Sequence, residues 1–315
     1  MPALDRPATS AGSAIRVRGL RKVFGATVAL SHVDLDVPAG AVLGVLGPNG
    51  SGKTTMIRLL LALSRPTAGS VEVLGRPVPA AATEVLAHIG ALVEGPGFHP
   101  FLSGRENLRR LACAEPLLAA QEITASVNRA LHRVGLAEAA GRRYRAYSLG
   151  MKQRLGLAAI LLAPRRLVVL DEPTNGLDPA GTREVRRIIA ELHAGGTTVL
   201  VSSHLLAEVE ATCTHVAVLD RGSLIATGPL TALLDGEAPA LDVRTPDSEL
   251  AIRALRAAGV GAATHPHGLR VELAGTDPPA VVALLVGAGV AVHEARRWRT
   301  GLDEVFSRLT EGTGT

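Results

Sequence analysis

Aromatic residues are scarce in this chain: four Phe, two Tyr and one Trp among 315 residues, or 2%. That leaves no ladder of rings on which the bases of a single-stranded nucleic acid could stack. Lysine is limited to Lys22, Lys53 and Lys152, so the net charge of +4 rests on arginine. The arginines stand in scattered pairs and form no basic block. This fits a composition rich in Ala, Gly and Arg, and no nucleic-acid partner is expected. The two cysteines, Cys113 and Cys213, lie far apart without a C-x-x-C. A zinc site and a disulfide framework are thereby disfavoured, and a reducing compartment fits. No apolar run reaches the roughly 18 residues of a membrane span. The longest candidate, 279–292, is broken by Gly287 and Gly289. Residues 1–13 are Ala/Pro/Ser-rich without an apolar centre and read as a flexible tail, not a signal peptide. At 47% hydrophobic and 20% charged the chain is nevertheless globular, long enough for one large domain or two smaller ones.

The chain is organised around Gly47-Pro48-Asn49-Gly50-Ser51-Gly52-Lys53-Thr54-Thr55, which fits G-x-x-x-x-G-K-[ST], the phosphate-binding P-loop. An apolar run, 41–46, precedes it and reads as a buried strand. Met56, Ile57, Leu59, Leu60 and Leu63 follow at helical spacing. Glycines let several backbone N–H groups converge on one anion, and the helix N-terminus adds partial positive charge. Lys53 would reach the β- and γ-phosphates, and the Thr54 hydroxyl would bind Mg²⁺.

Before the loop, 14–46 alternates apolar and polar residues and predicts an antiparallel strand layer. Phe24 sits on it, either stacking on a base or filling the core. After the loop come strands at 71–74 and 89–93, the latter ending in Glu94-Gly95-Pro96-Gly97. Ser103-Gly104-Arg105-Glu106 is a capping box that opens a helix. Residues 95–163 therefore form a helical insert. Ser148 caps an apolar helix, 155–162, which Pro164 stops. Leu167-Val168-Val169-Leu170 is a strand buried on both faces. It delivers Asp171 and Glu172 at its C-terminal end, where open α/β sheets bind ligands. Asp171 suits an outer-sphere Mg²⁺ ligand and Glu172 the polarisation of an attacking water, although Asp-Glu pairs are also common at surfaces. Asn175-Gly176-Leu177-Asp178-Pro179 makes a tight loop. Another buried strand, 197–201, is capped by Ser202-Ser203-His204, and His204 is structural or functional. Strands at 215–219 and 223–227 complete the layer.

The pattern changes near residue 236. The remainder reads as strand 241–244, helix 248–258, strands 260–264 and 269–273, helix 279–288, strand 290–295 and helix 302–309. That β-α-β-β-α-β order predicts a small α+β ferredoxin-like domain. His265 and His267 flank Pro266 and read as a hairpin turn, not as ligands.

In order and spacing these pieces resemble the ATP-binding subunit of ABC transporters over about residues 14–235. Gly47–Thr55 resembles that family's Walker A, Ser148–Gly150 its signature loop and Leu167–Glu172 its Walker B with the catalytic glutamate. Gly176-Leu177-Asp178 resembles the D-loop, and His204 the switch histidine. Phe24 falls where the family stacks an aromatic on adenine. Two positions depart from the family pattern: Glu94 stands in place of a Gln and Met151 in place of the signature Gln. These departures, with the C-terminal domain at 236–315, resemble bacterial ABC-2 drug and antibiotic exporters of the daunorubicin- or bacitracin-resistance type.

The resemblance implies an α/β P-loop NTPase core at 14–235 and an ATPase that uses ATP and Mg²⁺. Glu172 would orient or deprotonate water, and His204 would hold the γ-phosphate. Mg²⁺ would be held by Thr54, Glu94 and Asp171. Ser148 and Gly150 of a second copy, or of a paralogous ATPase, would close on the nucleotide, with Asp178 nearby. A Glu94 carboxylate attracts Mg²⁺ and repels phosphate, each by about 4 kcal/mol at about 4 Å, so the sign of its effect stays open. A multi-span permease, encoded separately, would supply the pathway and hold the chain at the cytoplasmic face of the membrane. Phe98 and Phe101 are either anchors for it or core residues. The alternatives are a soluble ABC ATPase acting on ribosomes or DNA, and an importer ATPase. A single P-loop without a heptad run disfavours the first. Glu94 and the signature variant disfavour the second.

Overall fold

Strand burial follows the period of the sequence. In β1 (Ser13–Phe24) and β2 (Thr27–Pro38), Ile15, Val17, Leu20, Val33, Leu35 and Val37 turn inward, and polar residues between them face out. The computed structural model describes residues 12–93, 97–234, 240–265, 268–273, 275–298 and 301–311. It divides into two compact units, Met1–Pro229 and Leu230–Thr315.

In the first unit the chain continues through β3 (Val42–Leu46), α1 (Lys53–Leu60), β4 (Ala68–Val73), β5 (Arg76–Val78), α2 (Ala82–Leu86) and β6 (Ile89–Leu92). Three helices follow, α3 (Gly104–Cys113), α4 (Ile123–Arg133) and α5 (Leu149–Ile160). Then come β7 (Leu167–Asp171), α6 (Pro179–Ala194), β8 (Thr198–Ser203), α7 (Leu206–Thr212), β9 (His215–Asp220) and β10 (Ser223–Pro229). One sheet is antiparallel, in the order β2-β1-β4-β5. The other runs β10-β9-β3-β8-β7-β6 and is parallel except for its edge strand β10. A single apolar cluster joins Ile15 and Val17 of the first sheet, Val45 and Val169 of the second, and Met56 and Leu60 of α1. All five residues of β3 are buried, as a parallel strand covered on both faces requires.

Helices α3 to α5 lie in the chain between β6 and β7. Ser103 opens α3 with both halves of the capping box: Glu106 N donates to Ser103 Oγ at 3.2 Å, and Ser103 N donates to Glu106 Oε2 at 2.7 Å. The Ser103 side chain, and then its backbone, holds the Glu106 carboxyl below its ordinary value. Helix α5 starts at Leu149, six residues before the predicted 155. Ser148 Oγ accepts the Met151 N–H at 3.3 Å, so the helix begins at its cap and not at its first wholly apolar stretch. Helices α2, α6 and α7 were not read from the sequence. Asp178 and Pro179, read as part of a tight loop and Asp178 also as part of a D-loop, are the cap and first residue of α6.

The second unit holds α8 (Leu230–Leu234), β11 (Ala240–Arg244), α9 (Ser248–Ala257), β12 (Ala262–His265) and β13 (Gly268–Glu272). It ends with α10 (Pro278–Gly287), β14 (Glu294–Trp298) and α11 (Leu302–Glu311). Its sheet, β12-β13-β11-β14, is antiparallel throughout, the split ferredoxin-like arrangement. The division lies at Pro229/Leu230, a few residues before the predicted 235/236, because α8 groups with the second unit. Two strands begin later than predicted, at 262 and 294, for one reason. Helices α9 and α10 close with Gly259 (φ 73) and Gly289 (φ 79), after which Val260 N donates to Leu255 O at 2.9 Å and Val290 N to Leu285 O at 3.0 Å. These are Schellman closures, and they fold each valine back onto its helix instead of starting a strand. His267 lies outside the described residues.

Arg165, before β7, pairs with Glu115, after α3, and both side chains are nearly buried (8% and 10% exposed). Arg165 Nη1 also donates to Ala87 O at 2.7 Å. Removing one partner leaves a buried charge unpaired. Glu115→Ala should therefore lower the unfolding free energy of the first unit by about 3 kcal/mol, read from urea denaturation.

Candidate functional site

At the C-terminal end of β3 the chain must turn sharply into α1. Gly47 (φ 154) sits where a Cβ would come 2.2 Å from Leu219 O. Gly52, the N-cap of α1, is left-handed (φ 108) and provides no side-chain cap. The leading N–H groups of α1 thus lack a side-chain acceptor, which is what an anion site at a helix N-terminus needs. Lys53 is buried, with Nζ donating to Gly47 O at 2.7 Å and Pro48 O at 3.1 Å. Burial pushes its ammonium below the ordinary lysine value, while the charges of Glu172 and Asp171 pull the other way. Ser51 Oγ is buried beside Gly47 without a hydrogen-bond partner. Pro48, Asn49 and Gly50 are exposed at the tip of the loop, and Thr54 and Thr55 are half-buried in the first turn of α1.

Strand β7 ends beside this loop at Asp171, and Glu172 follows it. Asp171 Oδ2 accepts the Thr54 hydroxyl at 3.2 Å, and Oδ1 accepts the Ser202 hydroxyl at 2.5 Å. Glu172 has a left-handed backbone (φ 47), uncommon for a residue with a side chain. Its N–H donates to Ser202 Oγ at 2.9 Å, and its Oε2 lies 2.7 Å from His204 Nδ1. Thr54, Asp171, Glu172 and His204 thus form one connected group with the P-loop. Thr54 and Asp171 offer the hard oxygen donors that Mg²⁺ prefers, and Mg²⁺ is typically held by one or two protein oxygens plus substrate phosphates. Among the described residues no group of three His, Cys, Asp or Glu is placed to hold a metal alone. Glu94 lies outside the described residues.

The signature-like residues stand apart. Ser148, Leu149 and Gly150 border a recess of about 540 Å³ with Gly176, Asp178 and Gly181, and no P-loop residue lines it. Leu149 is 59% exposed and crosses Gly176, where a Cβ would lie 2.6 Å from Leu149 Cδ2. Asp178 Oδ1 accepts the Gly181 N–H at 2.8 Å, so within the chain its carboxylate caps α6. Phe24 is 48% exposed with Lys22 Nζ 4.6 Å above its ring, which rules out the core-filling alternative. Phe101 is likewise exposed, under Arg145, whereas Phe98 packs edge-on against Tyr144 at 5.2 Å.

Two features escaped the sequence reading. Ser202 was read only as part of a strand cap. Thr174 donates to Glu208 Oε2 at 2.6 Å, and Gln153 Nε2 to Pro173 O at 3.1 Å, tying the segment after β7 to α7 and α5. The signal for Ser202 was a hydroxyl at the end of a strand that had to lie beside Asp171, and it becomes readable only once β7 and β8 are known to be neighbours.

A glycine-lined strand-to-helix turn with a buried lysine, next to an aspartate–threonine pair and a glutamate held by histidine, defines a P-loop ATPase. A family model described as ABC transporter matches residues 30–175. An uncharacterized ABC transporter ATP-binding protein of Bacillus subtilis, YdbJ, is 35% identical over 94% of this chain and 95% of its own length. The daunorubicin resistance ATP-binding protein DrrA3 of Streptomyces coeruleorubidus is 36% identical over 95% and 96%. The bacitracin transport ATP-binding protein BcrA of Bacillus licheniformis is 38% identical over 76% and 77%. In fold, the ATP-binding cassette MJ0796, solved as a dimer in a post-hydrolysis state with ADP and Pi, superposes with a TM-score of 0.63 over 69% of this chain and 98% of that one, at 22% identity. The chain belongs to the ABC transporter family, as an ATP-binding and ATP-hydrolysing subunit.

The geometry of the loop makes Gly52 irreplaceable. A Cβ there would meet Leu30 Cδ2 at 2.7 Å and Ala29 O at 2.8 Å, in a left-handed conformation. Gly52→Ala should weaken binding of a fluorescent ATP analogue by roughly tenfold or more, measured by titration of the purified chain.

Proposed function

We propose that the chain powers export of a drug, antibiotic or similar compound through a separately encoded membrane permease. The observation that carries this is the match to the daunorubicin resistance protein over nearly the full length of both chains, second unit included. Relatives named for bacitracin and lantibiotic transport point the same way. Among the described residues no helix is long and apolar enough to cross a membrane, so the reading assigns the pathway to a partner and this chain to the cytoplasmic face. The exposed Phe101, with Arg145 on its ring, suits an anchor for that partner.

Two copies, or this chain and a paralogue, pair head to tail. The P-loop of one copy holds the phosphates through its backbone N–H groups and Lys53. Ser148 and Gly150 of the other present a second helix N-terminus to the γ-phosphate. The capped start of α5, exposed at the recess, supports this reading, because no P-loop residue of the same chain lines that recess. Phe24 stacks on the adenine. Thr54, with Asp171 behind it, holds Mg²⁺, which when bound offsets phosphate charge. Glu172 orients the attacking water and accepts its proton, and His204 fixes the Glu172 carboxylate through the 2.7 Å contact. Positioning and charge stabilisation thus account for the chemistry.

Glu172→Gln should lower kcat by roughly 100-fold or more, the scale of a lost general base, while ATP analogue binding persists. Tagged Glu172→Gln protein incubated with ATP and membranes should recover a multi-span protein, identified by mass spectrometry. Recovery of ribosomal or DNA-repair proteins without one would reject the transport assignment. Ser148→Arg should abolish ATPase activity yet leave nucleotide binding to the single chain intact, since its effect is exerted on the partner's site.

A further inference from the structure

Near the end of β8, Ser202 lies opposite Asp171 in the parallel pairing with β7, and it is fully buried. Its hydroxyl makes two bonds that use different capacities. The O–H donates to Asp171 Oδ1 at 2.5 Å, and a lone pair accepts the Glu172 backbone N–H at 2.9 Å. A serine hydroxyl has only one proton to give, so its orientation is decided by the carboxylate.

The two bonds control different things. With Oδ1 held, Oδ2 of Asp171 is left to accept from Thr54 at 3.2 Å. With its N–H held, Glu172 keeps a left-handed backbone (φ 47) that a residue with a Cβ adopts only where its surroundings enforce it. That turn aims the Glu172 side chain at His204, two residues beyond Ser202, at 2.7 Å.

We propose that Ser202 is a positioning residue of the hydrolytic site: one buried hydroxyl sets both the carboxylate orientation of Asp171 and the backbone conformer of Glu172, and through the latter the Glu172–His204 contact. The inference rests on the roles given above to Asp171 and Glu172. Alanine removes both bonds. Cysteine fills similar space but is a weak donor and acceptor, and threonine keeps the hydroxyl.

The test is steady-state ATPase kinetics of the full chain carrying Ser202→Ala, Ser202→Cys or Ser202→Thr, beside Glu172→Gln, with binding of a fluorescent ATP analogue and a crystal structure of Ser202→Ala. The alanine and cysteine variants should lose roughly 10–100-fold in kcat, the usual effect of releasing a residue that orients a site carboxylate. KM and analogue affinity should stay within about threefold, since the loss lies in the hydrolytic step. Threonine should restore most of kcat. In the alanine structure Glu172 should return to negative φ and leave His204. Placed on Glu172→Gln, Ser202→Ala should cost less than it does in the wild type, because the part of its effect that runs through Glu172 is already lost. Wild-type kcat in the alanine and cysteine variants would overturn the proposal, as would a loss shared equally by analogue binding, or a Glu172 that keeps its positive φ. Should Glu172→Gln itself hydrolyse ATP normally, the underlying assignment of Glu172 falls, an outcome distinct from wild-type kcat in the Ser202 variants alone.

Discussion

Parallel strands that share a direction also share an edge. β3, β8 and β7 run side by side in register, Leu46 against Ser203 and Asp171 against Ser202. Their C-terminal ends therefore deliver the P-loop, the His204 segment and the two carboxylates to one place. Every residue of β3 and β8 is buried, so the ladders between them lie in the interior of the unit, where backbone groups must pair with one another. The chemistry of the site depends on this alignment more than on any single contact.

Within that frame, the group around Glu172 is built on polar satisfaction. Each acceptor of Asp171 has a hydroxyl donor, the Glu172 N–H has an acceptor, and its carboxylate has His204. Polar groups linked in this way, around the buried Ser202 hydroxyl, hold one another to a single geometry. The strained Glu172 backbone is the cost of aiming its carboxylate, and it persists because both sides of the residue are held. Lys53, lodged against Gly47 O and Pro48 O, keeps its ammonium bonded within the loop.

The remaining motif stands apart from the P-loop. Ser148 caps a helix whose N-terminus opens onto a recess without a P-loop residue in its walls. Leu149 and Gly176 pack against each other there, so the signature-like and D-loop-like segments share one contact. On the reading proposed above, a site divided in this way would be completed by a second such chain.

Helices α2, α6 and α7 were not legible in the sequence, whereas the glycine pattern of the P-loop, the strand that ends at Asp171 and the order of elements from β11 to α11 were. Each is a local pattern: glycine spacing, an apolar run before acids, a period of two or of 3.6. The starts of β12 and β14 were misplaced because Val260 and Val290 are apolar whether they extend a strand or close a helix, and the left-handed glycine before each decides between the two. Whether Phe24 was core or surface could not be read locally either. Local chemistry along the chain determined that this is a P-loop ATPase and which residues carry its charge. Only the tertiary structure decided which of them meet, since the pairing of Ser202 with Asp171, 31 residues apart, depends on strand neighbours brought together by burial and not by sequence proximity.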